Sequence, residues 1–172
     1  MCSIFPKEIL DLTLELFHPG SVLDVGCGTG ISLDYFQSKG IRVRGLEGSE
    51  LAISKARHGS LITLHDLNSP ANLGEKFDLV WCFEVAEHIH PKYVSALIET
   101  LTTHGDRILL SAARPGQGGL GHLNEQPPEY WVEKMSEAGF ALDAENSNKY
   151  RTLPDHFASN ILVFERRRET KP

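Results

Sequence analysis

The chain has 172 residues, of which 41% are hydrophobic and 23% are charged, and its formal net charge is −6. This length favours one globular domain of ordinary composition. Duplex-binding domains usually carry a basic excess, so the acidic balance disfavours nucleic acid as a partner. No apolar run approaches the ~20 residues that span a bilayer. Acidic residues lie near the amino terminus, which argues against a signal peptide, and we expect a cytoplasmic protein. Cys2, Cys27 and Cys82 lack C-x-x-C spacing, which argues against a disulfide framework or a zinc-cysteine cluster.

Apolar segments of strand length alternate with segments of helical periodicity, which predicts an α/β domain with a mostly parallel sheet. In chain order, we predict a helix over Pro6–Phe17, a strand over Ser21–Val25, a helix over Ile31–Lys39, a strand over Ile41–Leu46, a helix over Glu50–His58 and a strand over Leu61–His65. The later predicted elements are a strand over Phe77–Phe83, a helix over Pro91–Thr103, a strand over Asp106–Ala112, a helix over Pro127–Ala138, and strands over Phe140–Ala144 and Asn160–Arg166. The last two strands have no full helix between them, which predicts an antiparallel hairpin at one edge.

A glycine-rich turn, Asp24-Val25-Gly26-Cys27-Gly28-Thr29-Gly30, joins the first strand to the next helix. Glycines let a ligand approach the backbone closely, and a helix N-terminus offers free N–H groups. The G-x-G-x-G spacing is one residue short of the dinucleotide fingerprint, and Asp24 would repel a pyrophosphate, so a nicotinamide dehydrogenase is disfavoured. Asp24 instead suits a ligand with an ammonium group. The alternative is a tight turn that binds nothing.

Two further acids follow the ends of predicted strands. Glu47 ends the second strand, where an acid accepts hydrogen bonds from ribose hydroxyls. Asp66 follows the third strand and could accept a hydrogen bond from an adenine amino group, with Leu67 packing on the ring. The alternatives are a solvated charge at Glu47 and, at Asp66, a turn that begins before Asn68-Ser69-Pro70.

Together with the fourth strand that runs into Glu84–His88, these features resemble the class I S-adenosylmethionine (SAM)-dependent methyltransferases over nearly the whole chain. The segment GHLNEQPPEYW, residues 121–131, resembles the small stand-alone bacterial and phage members of that family. The resemblance implies a single Rossmann-like domain over residues 1–172, with a seven-stranded sheet of order 3-2-1-4-5-7-6 and strand 7 antiparallel. It places the methionine part of SAM against the glycine turn, with Asp24 near its amino group, the ribose at Glu47, and the adenine at Asp66 and Leu67. The implied cofactor-binding set is Asp24, Gly26, Cys27, Gly28, Gly30, Glu47, Gly48, Asp66, Leu67, Cys82 and Phe83.

The segment Glu84-Val85-Ala86-Glu87-His88 follows the fourth strand. On a helical turn, Glu84, Glu87 and His88 would share one face, and His122 from a later loop could add a fourth ligand. Such a set suits Mg, Mn, Fe or Zn. The pattern resembles RNA 3′-end 2′-O-methyltransferases and quinone-pathway O-methyltransferases, in which a cation at this place binds the substrate hydroxyls. The alternative is that these groups line the pocket without a metal.

Residues 113–126 are rich in glycine and then in polar side chains, and they follow the fifth strand at the edge where such folds bind substrate. His122 is the candidate general base, because imidazole accepts a proton near neutral pH, and His88 is the second catalytic candidate. The alternative without a functional role is a surface loop with a helix cap.

We therefore expect SAM-dependent O-methylation of a small hydroxylated acceptor, such as a sugar, a glycan or another metabolite. The alternatives are methylation of an RNA 3′ end and a non-catalytic SAM-binding module. Apart from the core, only the N-terminal helix over residues 1–20 and the loop over 113–126 are left for acceptor recognition. This leaves room for a homodimer, or a partner chain, to complete the pocket.

Overall fold

A computed structural model describes residues 5–168, which form one seven-stranded sheet of order β3-β2-β1-β4-β5-β7-β6. The strands are β1 (Ser21–Val25), β2 (Arg42–Glu47), β3 (Ile62–Leu64), β4 (Leu79–Phe83), β5 (Arg107–Ser111), β6 (Phe140–Leu142) and β7 (Leu162–Arg166). The helices are α1 (Lys7–Phe17), α2 (Ile31–Ser38), α3 (Glu50–Lys55), α4 (Val94–His104), α5 (Pro128–Glu137) and α6 (Ala144–Tyr150). Strands β1 to β5 run parallel, and β7 is antiparallel to β5 and to β6. The predicted strand order and the antiparallel β7 are confirmed.

Both faces of the sheet are buried. Successive side chains of a strand point to opposite faces, so neighbouring residues of one strand belong to different apolar clusters. In β4, Val80 and Cys82 belong to the apolar cluster that contains Leu97 of α4 and Trp131 of α5. Their neighbours Leu79 and Trp81 belong to the second cluster, which contains residues of α1, α2 and α6. The sheet is therefore the middle layer of three, as the uninterrupted apolar sequence of β4 predicts.

Several elements begin or end at other residues than the sequence predicts. The predicted helix over Glu50–His58 is too long, since Ala56 is extended and residues Gly59–Leu61 form a separate 3₁₀ turn. Strand β4 begins at Leu79, because Phe77 forms only an isolated bridge with Gly105. The predicted helix over Pro91–Thr103 begins as a 3₁₀ turn, and α4 proper starts at Val94.

The expectation that no full helix lies between the last two strands is wrong, because helix α6 lies between them. Strand β6 ends at Leu142 rather than at Ala144, since the Asp143 carboxylate accepts a hydrogen bond from the Asn146 N–H at 3.0 Å and caps α6. The two strands nevertheless pair antiparallel at the edge of the sheet.

The loops after β1, β4 and β5 meet at one edge of the sheet, because parallel strands all end there. This is the edge at which open α/β sheets bind ligands. No helix within residues 5–168 is both long enough and apolar enough to cross a membrane.

Candidate active site

The glycine turn after β1 has a backbone that side chains would disturb. Gly26, Gly28 and Gly30 have φ angles of 77°, 56° and 79°, in the left-handed region that favours glycine. A Cβ atom on Gly26 would lie 2.5 Å from a methyl carbon of Val85, so the turn packs tightly against the segment that follows β4. A Cβ atom on Gly28 would meet no heavy atom within 4 Å, which leaves this side of the turn open to a ligand.

Asp24 is a buried acid directly before this turn, with 3% of its surface exposed. Burial, together with the nearby Glu47 carboxylate, raises the pKa of Asp24 to about 8. A positively charged group placed beside Asp24 would favour its ionised form. An ammonium group beside Asp24 stays a prediction.

Glu47 connects the glycine turn to the loop that follows β2. Its carboxylate accepts hydrogen bonds from the Gly28 N–H and the Ser49 N–H, both at 2.8 Å. Gly48, which lies between Glu47 and Ser49 in the chain, is exposed. Glu47 is thus more than a solvated charge, and its contact with a ribose stays a prediction.

Asp66 begins a turn, as the alternative interpretation expects. Its carboxylate accepts a hydrogen bond from the Asn68 N–H at 3.0 Å, and its carbonyl accepts one from the Ser69 hydroxyl at 3.0 Å. The side chain is exposed, and the next side chain, Leu67, is buried in the core. An adenine contact at Asp66 and Leu67 stays a prediction.

The remaining candidates of the cofactor set are largely buried. Cys27 and Cys82 are free thiols, and burial raises the pKa of each above its usual range. Cys82 has no exposed surface, so its contact with the cofactor stays a prediction, and Cys2 lies outside the described residues. Phe83 is half-buried, stacked on Trp81 with 5.3 Å between ring centroids.

The segment after β4 does not form the helical turn expected over Glu84–His88. Glu84 has a φ angle of 53°, and its N–H is held by the carbonyl and the hydroxyl of Ser111, at 3.2 and 2.9 Å. Only Ala86–His88 form a 3₁₀ turn. The Glu84 carboxylate accepts a hydrogen bond from the Asn160 amide at 3.2 Å. Expecting one helical face for the three polar side chains is therefore wrong.

Three side chains come together beside this turn. Glu87, His88 and His122 each offer one potential ligand atom, and these atoms lie within 4.8 Å of one another. Glu87 is 1% exposed, and its Oε2 has no hydrogen-bond partner within residues 5–168. Burial and the neighbouring Glu84 carboxyl raise the pKa of Glu87 to about 8. Burial likewise raises the pKa of Glu84, which lies outside this trio.

Hydrogen bonds favour one tautomer of each neutral imidazole. His88 Nδ1 lies 3.0 Å from the Gly121 carbonyl oxygen, and His122 Nδ1 lies 2.8 Å from Glu125 Oε1. The bond from His122 lowers the pKa of Glu125, so this carboxyl is ionised at neutral pH. Because both oxygens only accept, each neutral ring carries its proton on Nδ1 and has a lone pair on Nε2. The two rings meet edge to face, 5.0 Å apart.

The residues present fit a divalent cation. Imidazole nitrogens and a carboxylate oxygen are ligands for Zn, Fe and Mn, and a hydrogen-bonded Nδ1–H orients a metal-binding imidazole. The unpartnered Oε2 of Glu87 is an acceptor that positive charge would satisfy.

Sequence reasoning assigned no role to three residues that support this site. Glu125 binds His122, and its position three residues later was a usable signal. Ser111 and Asn160 bind Glu84 across 27 and 76 residues of sequence, and no local pattern announces such contacts.

Residues 3–112 match the family model described as a methyltransferase domain. The chain belongs to the class I SAM-dependent methyltransferases. The mitochondrial ubiquinone biosynthesis O-methyltransferase of Schizosaccharomyces pombe is 29% identical over 122 residues, which cover 61% of this chain and 44% of that protein. The magnesium-protoporphyrin O-methyltransferase of Synechocystis sp. is 34% identical over 107 residues, 58% of this chain and 46% of that protein.

This chain thus spans less than half the length of these two curated relatives. Its fold is similar to that of the magnesium protoporphyrin IX methyltransferase from Synechocystis PCC 6803, solved with SAH bound. The TM-score is 0.69 at 21% identity, over 93% of this chain and 81% of that one. This likeness shows a shared fold.

Proposed function

We propose that this methyltransferase moves the methyl group of SAM to a hydroxyl group of a small acceptor, such as a sugar, a glycan or another hydroxylated metabolite. The observation that carries the proposal is the trio of Glu87, His88 and His122, in which a buried carboxyl group and two imidazoles bring their potential ligand atoms within 4.8 Å of one another. The trio adjoins the glycine turn through the contact of Gly26 with Val85. The curated relatives, named as O-methyltransferases, support the same reaction class.

The cofactor half of the proposal rests on the turn after β1. SAM, when bound, supplies a methyl group that its sulfonium already activates. Asp24 would bind the ammonium group, the open side of Gly28 would take the methionine backbone, and Glu47 would accept hydrogen bonds from the ribose. Holding donor and acceptor in line can lower a barrier by roughly 7–11 kcal/mol.

The acceptor half requires removal of a proton, because a neutral hydroxyl is a weak nucleophile. Glu125 holds Nδ1 of His122, and in that tautomer Nε2 carries the lone pair that would accept the proton. A positioned base of this kind contributes about 10²–10⁴ in rate. His88, with its ring against that of His122, is the second candidate for this role.

The trio would hold a divalent cation. A cation here would lower the pKa of a bound hydroxyl. Glu84 neighbours Glu87 and would join the set only by leaving the Asn160 amide. The ligand atoms of the proposed site are therefore those of Glu87, His88 and His122, with Glu84 as the outer candidate.

The proposed cation site is tested by measuring metal binding, which does not depend on methyltransferase activity. Calorimetric titration of the chelator-treated chain with Mn²⁺ or Zn²⁺ should show one site. Glu87→Gln and His122→Asn should each weaken it at least tenfold while SAH affinity stays unchanged. His90→Asn is the matched control, because His90 is exposed and caps the 3₁₀ turn at Pro91 instead. Equal affinity in all four proteins would remove the cation from the proposal.

Methyl transfer is tested with SAM labelled in its methyl group and a panel of acceptors. The panel holds sugars, glycans, catechols and an RNA with a free 3′ end, together with amine analogues that lack the hydroxyl. Label should enter a hydroxylated small molecule, and His122→Asn should slow the transfer at least a hundredfold. Label in the amine analogues alone would contradict O-methylation. Preference for RNA would select the alternative acceptor that the acidic charge disfavours.

A further inference from the structure

Glu125 is a half-buried loop acid whose carboxylate accepts three hydrogen bonds. Its Oε1 accepts from His122 Nδ1 at 2.8 Å and from the Gly118 N–H at 2.7 Å, and its Oε2 accepts from the Gly116 N–H at 2.9 Å. Gly116 and Gly118 have φ angles of 87° and 68°, a left-handed backbone that suits glycine. Three donors therefore converge on one carboxylate.

This arrangement is specific for a carboxylate. Glutamine has a single acceptor oxygen, and its amide nitrogen would face either the Gly116 N–H or the donors on the other side. A shorter aspartate would not reach all three donors from the same backbone. The loop geometry thus selects glutamate at this position.

The same loop holds both imidazoles of the proposed site. A Cβ atom on Gly119 would lie 2.2 Å from His122 Nε2, so the ring occupies space that only a glycine leaves free. Two residues later, the Gly121 carbonyl oxygen lies 3.0 Å from His88 Nδ1. Glu125 accepts hydrogen bonds from both Gly118 and His122, the residues that flank positions 119–121. It thereby holds this loop against both imidazoles.

We propose that Glu125 is a positioning residue: it fixes the His122 ring in the tautomer with its proton on Nδ1, and so keeps the Nε2 lone pair available. The tautomer follows from the hydrogen bonds alone, whereas its effect on methyl transfer rests on the proposed function. A carboxylate that orients a histidine in this way usually changes activity or metal affinity by 10–100-fold when it is removed.

The tautomer is tested by ¹⁵N NMR of the full chain, with the His122 ring signals identified by their loss in His122→Asn. The neutral His122 ring should carry its proton on Nδ1 in the wild type. Glu125→Gln should shift it to Nε2–H or to a mixture. Glu129→Gln is the matched control, because Glu129 is an exposed acid in the first turn of α5.

A wild-type proton on Nε2, or a tautomer unchanged in Glu125→Gln, would overturn the proposal. The wild-type spectrum decides even where the variant fails to fold. In the methyl-transfer assay, Glu125→Gln should lower kcat by 10–100-fold with an unchanged KM for SAM. Absence of transfer by the wild type would count against the proposed function, and the tautomer would still decide the role of Glu125.

Discussion

Asp24 makes a prediction about pH. Its pKa of about 8 means that the free protein holds a proton there below about pH 8. A bound ammonium group favours the carboxylate, so binding of SAH should release this proton. The affinity for SAH should then rise by up to about tenfold per pH unit towards pH 8 and level off above it. Calorimetry in buffers of different ionisation enthalpy measures both the slope and the proton release.

Two variants check this assignment. Asp24→Asn should remove the pH dependence and should differ most from the wild type at high pH, where the wild-type carboxylate is ionised. Asp66→Asn, with its acid exposed in a turn, should keep the wild-type slope. A wild-type affinity that does not change with pH would contradict the role of Asp24.

Gly26 and Gly28 should respond differently to alanine. Gly26→Ala combines a positive φ with a 2.5 Å approach to Val85, and should cost at least ~1–3 kcal/mol of stability. Gly28→Ala has the backbone strain alone, about 1–2 kcal/mol, but adds a methyl group on the open side of the turn and should weaken SAH binding at least tenfold.

Gly40→Ala is the control for Gly28→Ala, since its φ is 79° and its Cβ would also meet no heavy atom within 4 Å. Urea unfolding should show similar losses for these two variants, and calorimetry should show weakened SAH binding only for Gly28→Ala. An SAH affinity in Gly28→Ala equal to that of the wild type would contradict the placement of the cofactor against the glycine turn.

Residues in one contiguous motif are the ones that the sequence predicts best. Asp24 and the glycines lie together in the chain, so their local backbone could be anticipated. Glu84 was misjudged because its left-handed backbone depends on Ser111 of the neighbouring strand. Asn160 gave no signal, because its contact with Glu84 exists only after β7 has paired with β5.

Secondary-structure elements with a strong apolar period were predicted, and α6 was not. Its sequence, AENSNKY, buries only Ser147 and Tyr150, so it lacks the apolar stripe that identifies a helix. Its start is determined by the Asp143 cap, a one-residue signal that is easily taken for a turn.

Helix α6 is attached to α1 by a buried hydrogen bond, which makes a prediction about stability. The hydroxyls of Tyr150 and Thr13 lie 2.9 Å apart, and Thr13 also donates to the Ile9 carbonyl. Tyr150→Phe should therefore lower the free energy of unfolding by about 1 kcal/mol, measured by urea denaturation. Tyr93→Phe is the control, because Tyr93 is half-buried and its hydroxyl has no partner in the part of the chain that the structure describes. Equal losses would contradict the role of the α1–α6 contact.

At the scale of the whole molecule, the fold class could be predicted from the alternation of strands and helices. That pattern predicts a parallel sheet, and the glycine turn after its first strand indicates which edge binds the cofactor. The acceptor is chosen by loops whose sequence does not specify their partners, so its identity could not be predicted. The expected contribution of a second copy of the chain to the pocket stays a prediction.

The central claim, that this methyltransferase binds SAM against the glycine turn, is tested most directly by equilibrium dialysis with labelled SAM. The full chain should bind one SAM per molecule, and unlabelled SAH should displace the label. No retention of label by the folded wild-type protein would contradict the claim.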